Sequence, residues 1–502
     1  MTPSRPFRKV LVANRGEIAV RVIRALRESG IRSVAVYSDA DRASLAVRLA
    51  DEAVHIGPSP SAQSYLCIDR ILEAAAKHGA EAVHPGYGFL SENGSFAQTC
   101  RDSGLVFIGP SPEAIKKMGS KTEARKLALS TGVPVAAGSQ EAVRDLEEAR
   151  AAAGQAGYPV LLKAAAGGGG KGMRRVDRAE DLETALRDAS SEALRAFGDG
   201  SMYVEKWIEN PRHIEIQILG DMEGNLIHLG ERECSIQRRH QKVIEECPSP
   251  LVSVRPELRS EMGDAAIRVA RAAGYWNAGT VEFLVDSSGR FYFLEMNTRL
   301  QVEHPVTELA TGFDLVFAQL KIAAGEPLPW RQDEVRWRGS AIECRIYAED
   351  PDNDFFPSPG KISRWDVPAG PGVRLDAGVY PGWTVPMDYD PLLAKLAVWG
   401  DDRETARRRM ARALREFFVG GIRTNLAWFR DVLEDEAFIE GRLNTGFVKE
   451  FAARRSETRG DPEVEAAAIL AACMTSSGND FRDQPRAESS RWRDCGRSEA
   501  MR

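Results

Sequence analysis

Chemistry-bearing side chains crowd the run Asn297-Thr-Arg-Leu-Gln-Val-Glu-His-Pro305, where Arg299 and Glu303 stand four residues apart. A guanidinium can hold a small planar oxyanion through two parallel hydrogen bonds, and a carboxylate beside it can take the anion's proton. Just upstream lie two strand-like segments, Thr280-Val-Glu-Phe-Leu-Val285 and Phe291-Tyr-Phe-Leu-Glu-Met-Asn297, joined by the turn Asp286-Ser-Ser-Gly289. Alternation puts Glu295 and Asn297 on one face, with Glu282 at nearly the same level on the partner strand. Two carboxylates and an amide oxygen are hard ligands suited to magnesium shared with nucleotide phosphates. Two glutamates in strands more often face solvent, so the weight of this reading comes from what accompanies them.

That company is Lys163-Ala-Ala-Ala-Gly-Gly-Gly-Gly-Lys-Gly-Met173, a lysine at a strand end followed by four glycines. Glycines let backbone N–H groups approach and cradle phosphate oxygens. The run is not a Walker A loop: Ala165 stands where its first glycine belongs, and Gly172 follows Lys171 where Ser or Thr is required. A flexible linker is the plain alternative, but the flanking lysines and apolar strands favour a mobile phosphate-covering loop. A third dense run spans Glu231 to Glu246. Such charge runs usually form a solvated face; part of this one is expected to supply local positive charge for anions. His213-Ile-Glu215 matches the His-x-Glu of zinc deaminases, but no Pro-Cys-x-x-Cys follows, which argues against zinc.

These residues need a scaffold, and 502 residues with 43% hydrophobic and 28% charged content suffice for two to four globular domains. Lys plus Arg number 67 against 73 Asp plus Glu, a net charge of -6, so no basic field suits a nucleic-acid backbone. The apolar stretch Val10–Ala13 is too short for a signal peptide, and no run approaches membrane-spanning length. Seven scattered cysteines without a Cys-x-x-Cys pair argue against a disulfide framework and a structural zinc site. A cytoplasmic location, with no membrane and no nucleic acid as partner, is expected.

The first 119 residues alternate short β-branched runs with helical periodicity, the pattern of a parallel sheet in an α/β domain. Its first turn reads Ala13-Asn-Arg-Gly-Glu17, not Gly-x-Gly-x-x-Gly, which argues against NAD. Residues 120–335 read as an α+β domain. A third region, 336–452, has strands at Ala341–Tyr347 and Ala394–Trp399 and a helix from about Thr405 to Phe417. The tail 453–502 is polar, with one plausible helix starting at Asp461 and Pro462, and is a candidate docking segment for another subunit.

Ala13-Asn-Arg-Gly-Glu-Ile18, His84-Pro-Gly-Tyr-Gly-Phe-Leu-Ser-Glu-Asn93, Gln237-Arg-Arg-His-Gln-Lys242 and Glu295-Met-Asn-Thr-Arg299 resemble the biotin carboxylase family, over about residues 7 to 450. The resemblance implies an N-terminal Rossmann-like domain (the pre-ATP-grasp unit), a central ATP-grasp domain with a mobile lid at about 135–208, and a C-terminal α+β domain. It implies that ATP is held by Lys121, Lys163, Gly169, Gly170, Glu205, Lys206, Trp207, Ile208, His213 and His240, with Gln237 also among the cofactor-binding residues. Glu282, Glu295 and Asn297 would hold two Mg2+ or Mn2+ ions. Lys242, Arg299 and the Val302 backbone would bind bicarbonate, Glu303 would deprotonate it for attack on the γ-phosphate, and Arg345 would face the ureido oxygen of biotin.

Carboxyphosphate is the product this implies, breaking down to carbon dioxide and phosphate, which takes the proton from biotin N1′. Such an intermediate hydrolyses in water, a reason for a lid to close. The glycine run has four members where some relatives have five, Ala166 filling the remaining place. The final Glu-Ala-Met-Arg502 lacks the lysine of a biotin-accepting Ala-Met-Lys-Met. Biotin would therefore arrive on a separate biotin carboxyl carrier protein, with carboxyltransferase subunits and a second copy of this chain as further partners. An acetyl-CoA or other acyl-CoA carboxylase is the expected assembly, with pyruvate as the other acceptor. Two rivals are another carboxyphosphate-forming ATP-grasp ligase and a non-catalytic nucleotide-binding subunit. The first should lack Gln237–Lys242 and Arg345, the second Glu303, Arg299 or a metal carboxylate; all are present.

Overall fold

The computed structural model describes residues 7–139, 141–143, 145–165, 172–239, 241–458 and 470. The chain divides into a unit 1–448 and a second unit from 449 onward. Of the second unit, the described residues are the end of a helix, Phe447–Thr458, and Leu470; the tail helix expected at Asp461 lies outside the described residues.

The opening region is a five-stranded parallel sheet in the order Glu52–Gly57, Arg32–Ser38, Lys9–Val12, Ala82–His84, Val106–Phe107. Helix Gly16–Glu28 buries Ile18, Val22 and Leu26 against it, the face expected from their spacing. Strand order reverses around Lys9–Val12, so the loops after this strand and after Ala82–His84 leave the sheet side by side, where α/β sheets form their crevice. Asn14 ties them together, its amide donating to the carbonyls of Pro85 (2.7 Å) and Tyr87 (2.8 Å). Gly86 has φ +62°, and a Cβ there would stand 2.8 Å from the Asn14 amide nitrogen, so the tie requires glycine.

Eight strands build the second sheet, in the order Phe291–Asn297, Asn277–Val285, Arg212–Gly220, Leu226–Arg238, Gln241–Cys247, Ser340–Tyr347, Leu392–Gly400, Val373–Ala377. The third region's strands thus continue the sheet of the second, through Glu245 opposite Glu343 and Cys247 opposite Ala341. In Arg212–Gly220, Ile214, Ile216 and Ile218 join a core with helix Glu257–Ala273. Alternating with them, His213, Glu215 and Gln217 point to the opposite face and are also buried. A third sheet, Arg174–Val176, Val160–Ala164 and Met202–Lys206, packs with helices Leu146–Ala156 and Leu182–Phe197 and includes much of the expected lid span. No helix among the described residues is long and apolar enough to cross a membrane.

His84 ends its strand fully buried, its Nδ1 accepting from the N–H of Gly86 at 3.0 Å. Burial pushes its pKa from 6.5 down to about 4, so it is neutral in the folded chain. The unfolded chain binds a proton at this residue that the fold refuses, so stability drains as pH falls from 6.5 to about 4. His84→Gln should flatten part of that slope, measured as the change in urea midpoint between about pH 7 and about pH 5.

Candidate active site

Arg232 lies in mid-strand with no solvent exposure, and each of its five N–H groups is engaged. Nε donates to Glu215 Oε1 at 2.5 Å, Nη1 to Gln217 Oε1 (2.7 Å) and Thr307 Oγ1 (3.0 Å), and Nη2 to Thr280 Oγ1 (3.1 Å) and Gln301 Oε1 (2.7 Å). Burial opposes its charge, but Glu215 and Glu303 hold it protonated. The polar face of the sheet is organised around this fixed cation.

Lys242 stands on the next strand and bonds three carboxylates: Glu215, Glu282 Oε1 (2.8 Å) and Glu303 Oε1 (2.7 Å). The other oxygen of Glu303 accepts from Arg345 Nη2 at 2.8 Å, while Arg345 Nε donates to Glu245 Oε1 at 2.6 Å. Burial would raise the Glu303 carboxyl, but Lys242, Arg345 and Arg232 outweigh it and hold the group well below the usual carboxylate range. Burial pushes Glu245 up to about 7 against the pull of Arg345.

The hairpin places Glu282 directly opposite Glu295, and Thr280 opposite Asn297. Glu282 Oε1 also accepts from Asn297 Nδ2 (2.9 Å) and Gln301 Nε2 (2.8 Å), and its Oε2 lies 3.1 Å from His213 Nε2. Burial and the charge of Glu282 push Glu295 up, with Lys121 opposing. Two carboxylates facing each other across paired strands repel, and a divalent cation between them relieves that repulsion, so Glu282, Glu295 and the Asn297 amide fit a hard metal ion. His213, Glu215 and Glu282 also offer atoms within 4.8 Å of one another. Lys242 already bonds two of these three.

Arg299 is held from two sides. Its Nε donates to Glu92 Oε2 at 2.8 Å and its Nη2 to Asn297 Oδ1 at 2.9 Å, while the other oxygen of Glu92 takes the Thr298 N–H at 3.0 Å. Glu92 comes from the loop that follows Ala82–His84, so the opening α/β region fixes a side chain of the second domain.

The residues expected around nucleotide are brought together in part. Lys163 Nζ donates to Glu205 Oε2 at 2.5 Å, and Arg125 Nη1 to Glu205 Oε1 at 2.9 Å. Burial lowers the Lys121 pKa, with Glu295 opposing and the neighbouring Lys163 adding to the shift. Lys206 turns its ammonium to the carbonyls of Gly157 (2.8 Å) and Tyr158 (3.0 Å), so its side chain fixes the Lys206–Trp207 connection. The Trp207 N–H donates to Pro159 O at 3.1 Å, and Arg175 lies 5.0 Å over its ring; Ile208 is half-buried. Gln237 Nε2 lies 2.9 Å from His213 Nδ1 and donates to Cys234 O at 2.9 Å. The Val302 carbonyl accepts from Lys395 Nζ at 2.8 Å. Gly169, Gly170 and His240 lie outside the described residues.

Sequence reasoning missed Arg232, Glu215, Gln301, Glu92 and Lys395 as members of this site. A signal existed for Glu215 and Gln217: His213-Ile-Glu-Ile-Gln-Ile218 alternates perfectly, although alternation alone reads equally as a solvent face.

Residues 6–115 match the family described as "Biotin carboxylase, N-terminal domain", 120–331 "Carbamoyl-phosphate synthase L chain, ATP binding domain", and 343–450 "Biotin carboxylase C-terminal domain". The chain is 54% identical over 445 residues to a pyruvate carboxylase component from Methanothermobacter thermautotrophicus, covering 89% of this chain and 90% of that one. It is 51% identical over 446 residues to biotin carboxylase 1 of Bacillus subtilis, covering 89% and 99%. Among solved structures, the biotin carboxylase–βγ-ATP complex from Campylobacter jejuni superposes with TM-score 0.86 at 47% identity, covering 88% of this chain and 99% of that one. The biotin carboxylase domain dimer of Hydrogenobacter thermophilus 2-oxoglutarate carboxylase, in complex with MgADP, ADP and bicarbonate, gives 0.85 at 47% identity, covering 88% and 97%.

Arg232→Met should cost about 3–5 kcal/mol, because it leaves Glu215 buried against one cation fewer and strands four other acceptors. Arg232→Lys, with charge but at most three donors, should fall between Met and the parent. Urea unfolding of the three proteins at neutral pH checks the order; a Met variant as stable as the parent would remove Arg232 from its central role.

Proposed function

The chain belongs to the biotin carboxylase family, and from that premise we propose how its residues carry out the reaction. The protein catalyses ATP-dependent carboxylation of biotin with bicarbonate. The observation that carries the residue assignment is the chain of contacts Lys242–Glu303–Arg345, which links the anion-binding end of the site to the end assigned to biotin through one carboxylate.

Bicarbonate binds between Lys242, Arg299 and the Val302 backbone. Without substrate, Lys242 and Arg345 make Glu303 a weak base. An incoming anion competes for Lys242, withdraws one cation from Glu303, and so raises the basicity of that carboxylate when a proton must be taken. Glu303 removes the bicarbonate proton, the freed oxygen attacks the γ-phosphorus, and the bond to the ADP oxygen breaks, giving carboxyphosphate and ADP. Carboxyphosphate then cleaves to carbon dioxide and phosphate; the phosphate takes the proton from biotin N1′, and N1′ bonds the carbon of carbon dioxide. Arg345 stabilises the negative charge that develops on the ureido oxygen.

Glu282, Glu295 and Asn297 would hold Mg2+ or Mn2+, which supplies charge neutralisation on the nucleotide phosphates. Lys121, Lys163, Glu205 to Ile208, His213, Gln237 and His240, with the glycines at 169 and 170, complete the nucleotide end. The Hydrogenobacter thermophilus domain solved with MgADP and bicarbonate supports this pairing of ligands. The same proposal includes the domain division 1–119, 120–335 and 336–452 with its lid, a cytoplasmic site of action, and a homodimer like the solved one. Biotin comes on a separate carrier protein, and a carboxyltransferase subunit selects the acceptor. Solved chains named for a pyruvate carboxylase and for a 2-oxoglutarate carboxylase are each 47% identical to this chain, which supports placing that selection outside it.

Phosphate release from MgATP should accelerate only when bicarbonate and biotin are both present; release indifferent to biotin would favour a different ATP-grasp ligase. Glu303→Gln should keep nucleotide binding and lower kcat roughly 10²- to 10⁴-fold. Arg345→Ala should reduce biotin carboxylation more than bicarbonate-dependent ATP cleavage, read by comparing fixed carboxyl groups with released phosphate.

A further inference from the structure

We propose that Lys395 is a positioning residue for this reaction, holding the peptide that joins Val302 to Glu303 from within a closed set of counter-charges. The assignment rests on the roles given above to Val302 and Glu303.

Lys395 lies on strand Leu392–Gly400 with 1% of its surface exposed. Its ammonium donates to the Val302 carbonyl oxygen at 2.8 Å and lies 3.3 Å from Glu17 Oε1 and 4.0 Å from Asp376 Oδ2. Tyr87 donates its hydroxyl to the same Glu17 oxygen, and the ammonium stands 5.9 Å from the Tyr87 ring centroid. These partners come from helix Gly16–Glu28, the loop after Ala82–His84, strand Val373–Ala377 and the segment before helix His304–Thr311. On the adjacent strand Glu343 is also fully buried, and neither of its oxygens has a hydrogen-bond partner among the described residues.

Charge neutralisation alone would not need the Val302 contact. Enclosing an ammonium among carboxylates is costly unless its donors are used, and here one donor is spent on a neutral carbonyl. That carbonyl belongs to the peptide plane leading into Glu303, so fixing it sets the direction in which the Glu303 Cα presents its side chain. The peptide sits in a turn at the helix start, where the backbone bonds are long: His304 N–H to Gln301 O and Val306 N–H to Glu303 O are each 3.3 Å, against 2.8 Å for Lys395 to Val302. Lys242 and Arg345 hold the carboxylate; Lys395 holds the backbone beneath it. By this reading the motif loop 84–93 contributes through Tyr87, which orients Glu17 and thereby Lys395.

The test uses the full chain with Lys395→Met and Lys395→Gln, folding checked by thermal unfolding, and steady-state rates with MgATP and bicarbonate varied separately at saturating free biotin. A folded variant should show a bicarbonate KM raised roughly tenfold or more, or kcat lowered to that extent, with the MgATP KM within about twofold of the parent. A folded variant in which both KM values move by the same factor, or no parameter moves, overturns the assignment, since a purely structural lysine acts on the site evenly. If neither variant folds, Glu17→Gln decides by the same readout: a bicarbonate-selective change supports the assignment and unchanged kinetics overturns it. A parent protein without bicarbonate-dependent turnover would sink the functional reading instead. Hydrogen exchange of the Glu303, His304 and Val306 amides then decides the positioning role without turnover: faster exchange in a folded Lys395 or Glu17 variant supports it, and equal exchange overturns it.

Discussion

A guanidinium buried in the middle of a β-sheet is the constraint on which the rest of this site depends. Arg232 has no contact with water, so its charge must be answered inside the protein and its N–H groups must all be used. Its acceptors come from two strands, Arg212–Gly220 and Asn277–Val285, and from the segment around Gln301 and Thr307. Satisfying them fixes the register of strands Arg212–Gly220 and Asn277–Val285 against Leu226–Arg238, and the same register delivers Glu215 and Glu282 to Lys242. Stability and chemistry thus share one lattice of charges. Removing a partner leaves an unpaired charge behind, so the lattice tolerates few substitutions.

Within that lattice Lys242 is shared. It bonds three carboxylates at once, so in the proposed reaction an arriving anion, or a divalent cation at Glu282 and Glu295, would change which of them it serves. A metal ion would take over the charge of Glu282 and leave the ammonium for the anion. Glu303, the proposed base, would then lose a counter-charge at the step that requires basicity. In the proposed reaction, binding and activation would be coupled through a single ammonium.

The opening α/β region serves the site by reaching into it. Its strand reversal sends two loops outward together, Asn14 locks them, and the longer loop carries Tyr87 toward Glu17 and Glu92 onto Arg299. The third region contributes from the other side, because its strands extend the central sheet and carry Arg345 and Lys395 at opposed positions. A catalytic centre assembled from three regions needs such rigid connections, since a misplacement of about 1 Å can cost about two orders of magnitude in rate.

The sequence by itself determined the hairpin with Glu282 level with Glu295 and Asn297 on the Glu295 face, the parallel α/β opening and the family motifs, because these depend on local period, turn residues and contiguous runs. It also pointed to Arg299, Glu303, Lys242 and Arg345 as members of the proposed site, through motifs that resemble those of a known family. Only the tertiary structure decided that the polar half of His213-Ile-Glu-Ile-Gln-Ile218 faces inward, since a two-residue period is the same whether its polar side meets water or buried charge. The reach of Glu92 to Arg299, 207 residues away, and of Lys395 to Val302, 93 residues away, was likewise invisible along the chain. Those contacts arise from strand order and register, which bring together side chains whose individual types and neighbours carry no record of one another.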